Sequence, residues 1–239
     1  MRILTHNVYW FQGAPSRWGT ERVAEVPEVF EALCELYESV GVDILCLQEV
    51  HKPELVASLA QKLGLSAVFH APGGLRPNYG GAILCRRPAS FKDCTREPIS
   101  DPHERIHLRA SSPTFELASV HLPSNRFANS AEEGDVARVR ELTRVLTKTP
   151  KPNIVVGDMN CKPDSLPYQF MMDAGYVDAA VVAQSDAVLK RRVDYMWLDV
   201  EWAERLIRFE VLDEGTFCRE TQGVPWKLSD HPPLLMEVR

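Results

Sequence analysis

The run NIVVGDMN, Asn153 to Asn160, carries a short apolar stretch into Gly157, Asp158, Met159 and Asn160. Apolar runs of this length form buried strands. A carboxylate and a carboxamide therefore stand two residues apart, behind a glycine, where a strand leaves the core. Comparable boundaries recur along the chain. LTHN ends in Asn7, ILCLQE in Glu49 and LASVH in His121, RRVDY carries Asp194, and LSDHPP supplies Asp230 and His231. Clustered carboxylates would find a natural partner in a divalent cation, the more so in a chain of net charge −6. Taken singly, each position also has a structural use. Asp-x-Asn after a strand serves turns and helix N-caps, and a histidine before Pro-Pro can simply be hydrogen-bonded in a loop. Their joint occurrence in one chain, in this order, is what favours chemistry, because sites on α/β folds gather at strand ends.

The elements that must position these residues are legible. PEVFEALCELYESVG has Val26, Val29, Phe30, Leu33, Tyr37 and Val40 at helical spacing, with Pro27 in the first turn and Gly41 as the stop. DILCLQEV follows as a nearly continuous apolar strand, and KPELVASLAQKLG is a second helix ending at a glycine. SAVFH and GGAILCRR read as strands. RIHLRAS and TFELASVHL read as a pair joined by a Ser-Pro turn. SAEEGDVARVRELTRVLTKT is a third helix, expected to face inward through Val136, Val139, Leu142 and Leu146. A short helix near 165–174 and strands at RRVDYMWL, RLIRFEVL and PLLMEV complete the order. Strands alternate with helices, but several come in sequential pairs, which predicts α/β architecture with mixed sheets.

With 239 residues, 45% hydrophobic and 25% charged, the chain suits a single globular domain spanning 1–239. The acidic balance argues against a broad non-specific grip on nucleic acid. None of the six cysteines forms a C-x-x-C pair; Cys46 and Cys85 lie in apolar runs and read as buried thiols. His6 and Asn7 interrupt the opening run too early for a signal-peptide core, and no segment has the length of a membrane span. The expectation is a reduced, intracellular (cytoplasmic) protein.

The motifs THNV, LCLQEV, GGAIL, SVHLPS, VVGDMN, RRVDYMW and LSDHPPL together resemble the endonuclease/exonuclease/phosphatase superfamily over nearly the whole chain. That resemblance implies a four-layer α/β sandwich, two mixed β-sheets face to face with helices outside. It also implies a hydrolase that uses Mg²⁺ or Mn²⁺ and cleaves a phosphoester, nucleic acid or a nucleic-acid adduct being the favoured substrate. The alternatives are a phosphatase or phosphodiesterase for a small or lipid-derived phosphate, and a non-catalytic binding module. The complete residue set opposes the last.

Carried over residue by residue, the resemblance makes Glu49 the principal metal ligand, with Asn7 beside it and Asp230 near a second metal position. Asp158 would orient or deprotonate the attacking water. Asn160 would donate to a phosphate oxygen without adding negative charge. His231 and Asp194 match the family's His-Asp dyad, with His231 as base or charge stabiliser. His121 would contact the phosphate or protonate the leaving oxygen. Gly157 would let the backbone approach the site. Arg126, Arg191 and Arg192 are candidate phosphate contacts because each lies beside a site motif. Trp10, Phe11, Trp18 and Trp226 stand where they would either stack on a substrate or pack under their loops. The remaining histidines, among them His6, His103 and His107, are read as structural. The chain departs from abasic-site endonucleases in carrying Tyr9 where they have an acid two residues beyond the asparagine, and it lacks the Trp-Cys of inositol phosphatases.

Overall fold

The computed structural model describes residues 1–15, 25–185, 192–221 and 223–239. In chain order the strands are β1 Arg2–Asn7, β2 Ile44–Gln48, β3 Ala67–Ala71, β4 Gly81–Cys85, β5 Ser90–Asp93, β6 Ile106–Ser111 and β7 Glu116–His121. They continue with β8 Ile154–Asp158, β9 Tyr176–Asp178, β10 Asp194–Asp199, β11 Leu206–Val211, β12 Cys218–Thr221, β13 Val224–Lys227 and β14 Leu234–Val238. The main helices are α1 Pro27–Val40, α2 Pro53–Leu63, α3 Ala131–Leu146 and α4 Leu166–Asp173. One sheet runs β11-β14-β1-β2-β4-β3 and a second runs β5-β6-β7-β8-β10-β9, with β12-β13 as a separate hairpin.

Alternation along the strands builds the layers. Ile3, Ile44, Cys46 and Ile83 point between the sheets and meet Ile106, Leu108, Ile154, Val156 and Met196. Their neighbours Leu4, Leu45, Leu47 and Leu84 point the other way, onto Val29, Phe30, Leu33 and Tyr37 of α1 and Val56 and Leu59 of α2. On the far side, Ala118, Val120, Val155 and Trp197 pack with Leu142 and Val145 of α3 and Met171 of α4. The result is a four-layer α/β sandwich of two mixed sheets with helices outside. Prolines at the starts of α1 and α2 and left-handed Gly41 and Gly64 at their ends fix both helices, as the sequence predicts.

Each sheet has one parallel pair at its centre, β1 with β2 and β7 with β8. Parallel neighbours end side by side, so Asn7 registers with Gln48, and His121 with Asp158. Antiparallel β10 enters opposite, setting Asp194 against Asp158. This topology gathers residues more than 180 positions apart at one edge of the sandwich.

Helix α3 differs from expectation. Val136 is exposed and Val139 and Leu146 are half-buried, while the inward face carries Gly134, Arg138, Glu141, Leu142 and Val145. The reason is polar satisfaction. Arg138 donates to the Pro123 carbonyl at 2.8 Å and to Asn125 Oδ1 at 2.9 Å, and Glu141 accepts from the Glu104 N–H at 2.7 Å and contacts His103 Nδ1 at 3.0 Å. The sequence reading also lacked the short strands β5 and β9 and the β12–β13 hairpin. No helix among the described residues is long and apolar enough to cross a membrane.

Candidate functional site

Asp158 is the centre of the site and is almost completely buried. Its Oδ1 accepts from the Asn160 N–H at 2.9 Å, closing an Asx turn as the strand ends. Its Oδ2 accepts from Asn7 Nδ2 at 3.1 Å and lies 3.1 Å from His121 Nε2 and 4.0 Å from His231 Nε2. The Asn7 amide also donates to Glu49 Oε1 at 3.2 Å, so one side chain bridges two carboxylates. The Asn160 amide donates to the Leu122 carbonyl at 3.1 Å. Asp194 Oδ2 sits 2.7 Å from His231 Nδ1. Asp230 lies beside them at the surface, its Oδ1 3.4 Å from Ser229 Oγ.

Gly157 is required by close approach, but to a neighbouring strand. At φ +133°, a Cβ there would fall 1.9 Å from the Val120 carbonyl oxygen of β7. Five non-glycine residues around the site also have positive φ: Tyr9, Trp10, Phe11, Glu49 and Asn160. Such conformations cost roughly 1–2 kcal/mol each and persist where surrounding contacts over-determine them.

The electrostatics divide the site. His231 is held well above the ordinary histidine value: burial opposes its charge, but Asp194, Asp158 and Asp230 outweigh burial. Burial raises Asp194 to about 6 despite the His231 charge. His121, fully buried, is pushed well below 6.5 by burial, then by the Arg105 and His231 charges, and is neutral. Burial raises Glu49 to about 7, although Arg105 and His231 pull it down.

Glu49 is the residue that wants a cation. Its Oε2 is buried and has no hydrogen-bond partner among the described residues, the state in which a carboxylate oxygen is costly unless it meets a positive charge. Asp158, Asp194 and His231 also bring ligand atoms within 4.8 Å of one another. That trio is already charge-paired, because the imidazole carries a proton and spends one nitrogen on Asp194. Glu49, with Asn7 and Asp230 near it, fits a hard divalent ion better. The Asn7 side-chain oxygen Oδ1 accepts from the Tyr9 N–H at 3.1 Å, leaving one lone pair.

The arginines sort differently from the sequence reading. Arg192 is not turned to the cluster: its Nη1 donates to Asp178 Oδ1 at 3.1 Å, its Nη2 pairs with Oδ2, and it lies over the Tyr195 ring. Arg126 is exposed on the turn after His121. Trp10 and Phe11 are buried, which answers for packing; Trp226 is half-buried with its indole N–H on Thr221. Trp18 and Arg191 lie outside the described residues.

One residue was missed, Arg105, while His6 is structural as the sequence reading has it. Arg105, buried at the head of β6, places Nη1 against His121 Nε2 and its guanidinium 4.4 Å over the Tyr79 ring. His6 receives the Tyr37 hydroxyl at Nδ1 (2.5 Å) and donates from Nε2 to the His231 carbonyl (2.9 Å). Burial lowers His6 to about 3, so it is a neutral strut under the His231 loop. No signal in the sequence marks Arg105, since HERIHLRAS reads as an ordinary strand start.

A family model described as the Endonuclease/Exonuclease/phosphatase family matches residues 4–231. No curated protein matches the chain in sequence. Solved structures match its fold. An AP endonuclease from Archaeoglobus fulgidus is 16% identical with TM-score 0.71, over 100% of this chain and 99% of that one. A 3′ phosphatase from Neisseria, solved with a product DNA hairpin, is 18% identical with TM-score 0.67 over the same shares. A mannosyl-6-phosphatase from Bacteroides thetaiotaomicron is 13% identical with TM-score 0.66, again over 100% and 99%.

Proposed function

The chain belongs to the endonuclease/exonuclease/phosphatase family, a family of phosphoester hydrolases, and on that premise we propose that it is a Mg²⁺- or Mn²⁺-dependent phosphodiesterase acting on nucleic acid or a nucleic-acid adduct. The observation that carries this reading is Asp158: one buried carboxylate faces a carboxamide and two imidazoles of opposite electrostatic character, with the unpartnered Glu49 oxygen on the other side of the Asn7 bridge.

The residues divide the work. Glu49, with Asn7 and Asp230, holds the divalent ion, which supplies charge neutralisation at the phosphate. Asp158 accepts a hydrogen bond from the attacking water and orients it. His231, protonated and braced by Asp194, stabilises negative charge building on the phosphate. His121 is neutral and fully buried, which suits a hydrogen bond to phosphate better than proton donation to the leaving oxygen. Asn160 adds a neutral donor. Arg105 supplies a second fixed positive charge behind His121. Arg105→Met is therefore expected to lower kcat/KM about 10²-fold, the scale of losing one charge-stabilising donor, with Arg105→Lys between the two. Wild-type kcat/KM in the methionine variant, measured by steady-state kinetics, would remove Arg105 from the site.

The function test is cleavage of end-labelled single- and double-stranded oligonucleotides with Mg²⁺ and with EDTA, alongside calorimetry of Mg²⁺ binding to wild type and Glu49→Ala. Cleavage abolished by EDTA, with metal affinity lost in Glu49→Ala, is the expected result. A folded, Mg²⁺-binding protein that leaves every oligonucleotide intact would favour the second reading, a phosphatase for a compact phosphate. The net charge of −6 suits that substrate too. Metal affinity unchanged in Glu49→Ala would refute the ligand assignment.

A further inference from the structure

Glu49 stands on the first sheet and His121 on the second, and beside the Asn7 bridge and the Gln48 Nε2–Ser119 Oγ hydrogen bond at 3.3 Å a further link ties the two together. Glu49 Oε1 and His121 Nε2 are 4.0 Å apart. The segment 73–80 crosses that gap. At one end it pairs with the chain entering β6: the Gly74 N–H donates to the Arg105 carbonyl at 2.7 Å and the Arg76 N–H to the Glu104 carbonyl at 3.0 Å. At the other end the Val50 N–H donates to the Gly80 carbonyl at 3.0 Å, and the Trp10 indole N–H donates to the Asn78 carbonyl at 2.7 Å.

Trp10 is the hub. Its backbone N–H donates to the Glu49 carbonyl at 3.1 Å, and its ring meets Tyr79 edge-on at 5.1 Å. Tyr79 in turn lies under Arg105 and 6.0 Å from the His121 ring. The left-handed turn Tyr9–Trp10–Phe11, costly for non-glycine residues, is what aims the indole there while presenting the Tyr9 N–H to Asn7.

We propose that Trp10 and Tyr79 form a positioning pair that locks the Glu49 end of the first sheet to the His121–Arg105 end of the second. The strained turn is retained because it makes that lock. This rests on the reading of Glu49 and His121 as the metal-side and phosphate-side residues of one site.

The test is Trp10→Leu, with Trp10→Phe as the conservative variant that keeps the ring contact and loses the indole donor. The first readout needs neither metal nor substrate: amide hydrogen exchange in the metal-free protein. Trp10→Leu is expected to speed exchange both at 48–50 and at 103–106, the far end of the strap. In the second, calorimetry and kinetics, Trp10→Leu is expected to weaken Mg²⁺ binding and lower kcat, each by about 10-fold or more, with KM little changed. Small misplacements of reacting groups have effects of that order or larger. Trp10→Phe should recover part of both losses. Faster exchange confined to 9–11, or a folded Trp10→Leu with wild-type Mg²⁺ affinity and kcat, would overturn the proposal. A wild-type protein that binds no Mg²⁺ would instead count against the metal-dependent reading, and the exchange experiment would still decide for or against the lock.

Discussion

Asp158→Asn is expected to lower kcat by about 10²–10⁴-fold, the scale of a positioned acid–base group, while the protein stays folded. The fold argument is local: the β8 ladder uses backbone groups, and the substitution is isosteric. The chemical argument is that both oxygens of this carboxylate are committed. With Oδ1 held by the Asn160 N–H, an amide would turn its NH₂ toward the Asn7 amide, replacing an acceptor with a donor that faces a donor. It would also withdraw the negative charge that helps keep His231 protonated. Steady-state kinetics with circular dichroism as the folding control checks this. A folded Asp158→Asn enzyme keeping a tenth or more of wild-type kcat would show that water is oriented elsewhere.

What the sequence disclosed, and what it hid, follows from the range of the interactions. The helices bounded by Pro27 and Gly41, and by Pro53 and Gly64, are set by local backbone chemistry and were readable directly. The strand ends were readable because an apolar run that stops at a carboxylate is a local pattern, and the family resemblance supplied the topology that brings those ends together. Arg192 misled because its separation of two residues from Asp194 is only a sequence distance. In space Asp178, at the end of β9, captures its guanidinium, and β9 was too short to read. Val136 misled because α3 buries Arg138 and Glu141 instead of an apolar stripe. Arg105 stayed hidden because the segment 73–80, whose Tyr79 ring covers it, is brought there by contacts with distant parts of the chain. The supports of the site are thus less legible than its reacting groups.

His231→Ala is expected to cost about 10²–10⁴-fold in kcat, and the pH profile says in which role. As a general base, His231 would have to be neutral, and activity would fall on the acid side. Here the carboxylates around it hold the imidazolium well above the ordinary histidine value, so activity should fall on the alkaline side as that proton leaves. The Ala variant should lose this limb. An acid limb that the variant abolishes would assign the base role instead. Stability carries the same signature. A histidine whose folded value lies above 6.5 contributes stability that is fully present below 6.5 and lost as pH rises through the folded value. Glu49, raised from 4.5 to about 7, acts in the same direction, since its ionisation in the folded state is uphill. Buried neutral His6 and His121, whose values burial lowers, add stability as pH rises toward 6.5, so the metal-free wild-type Tm should decline with pH only above about 7, and there the decline should be shallower in His231→Ala. Mg²⁺ should raise Tm more at alkaline than at acid pH, because the ion offsets the buried Glu49 charge that burial alone penalises. A metal-free wild-type Tm that rises across that window would contradict the protonated assignment and return His231 to the role of base.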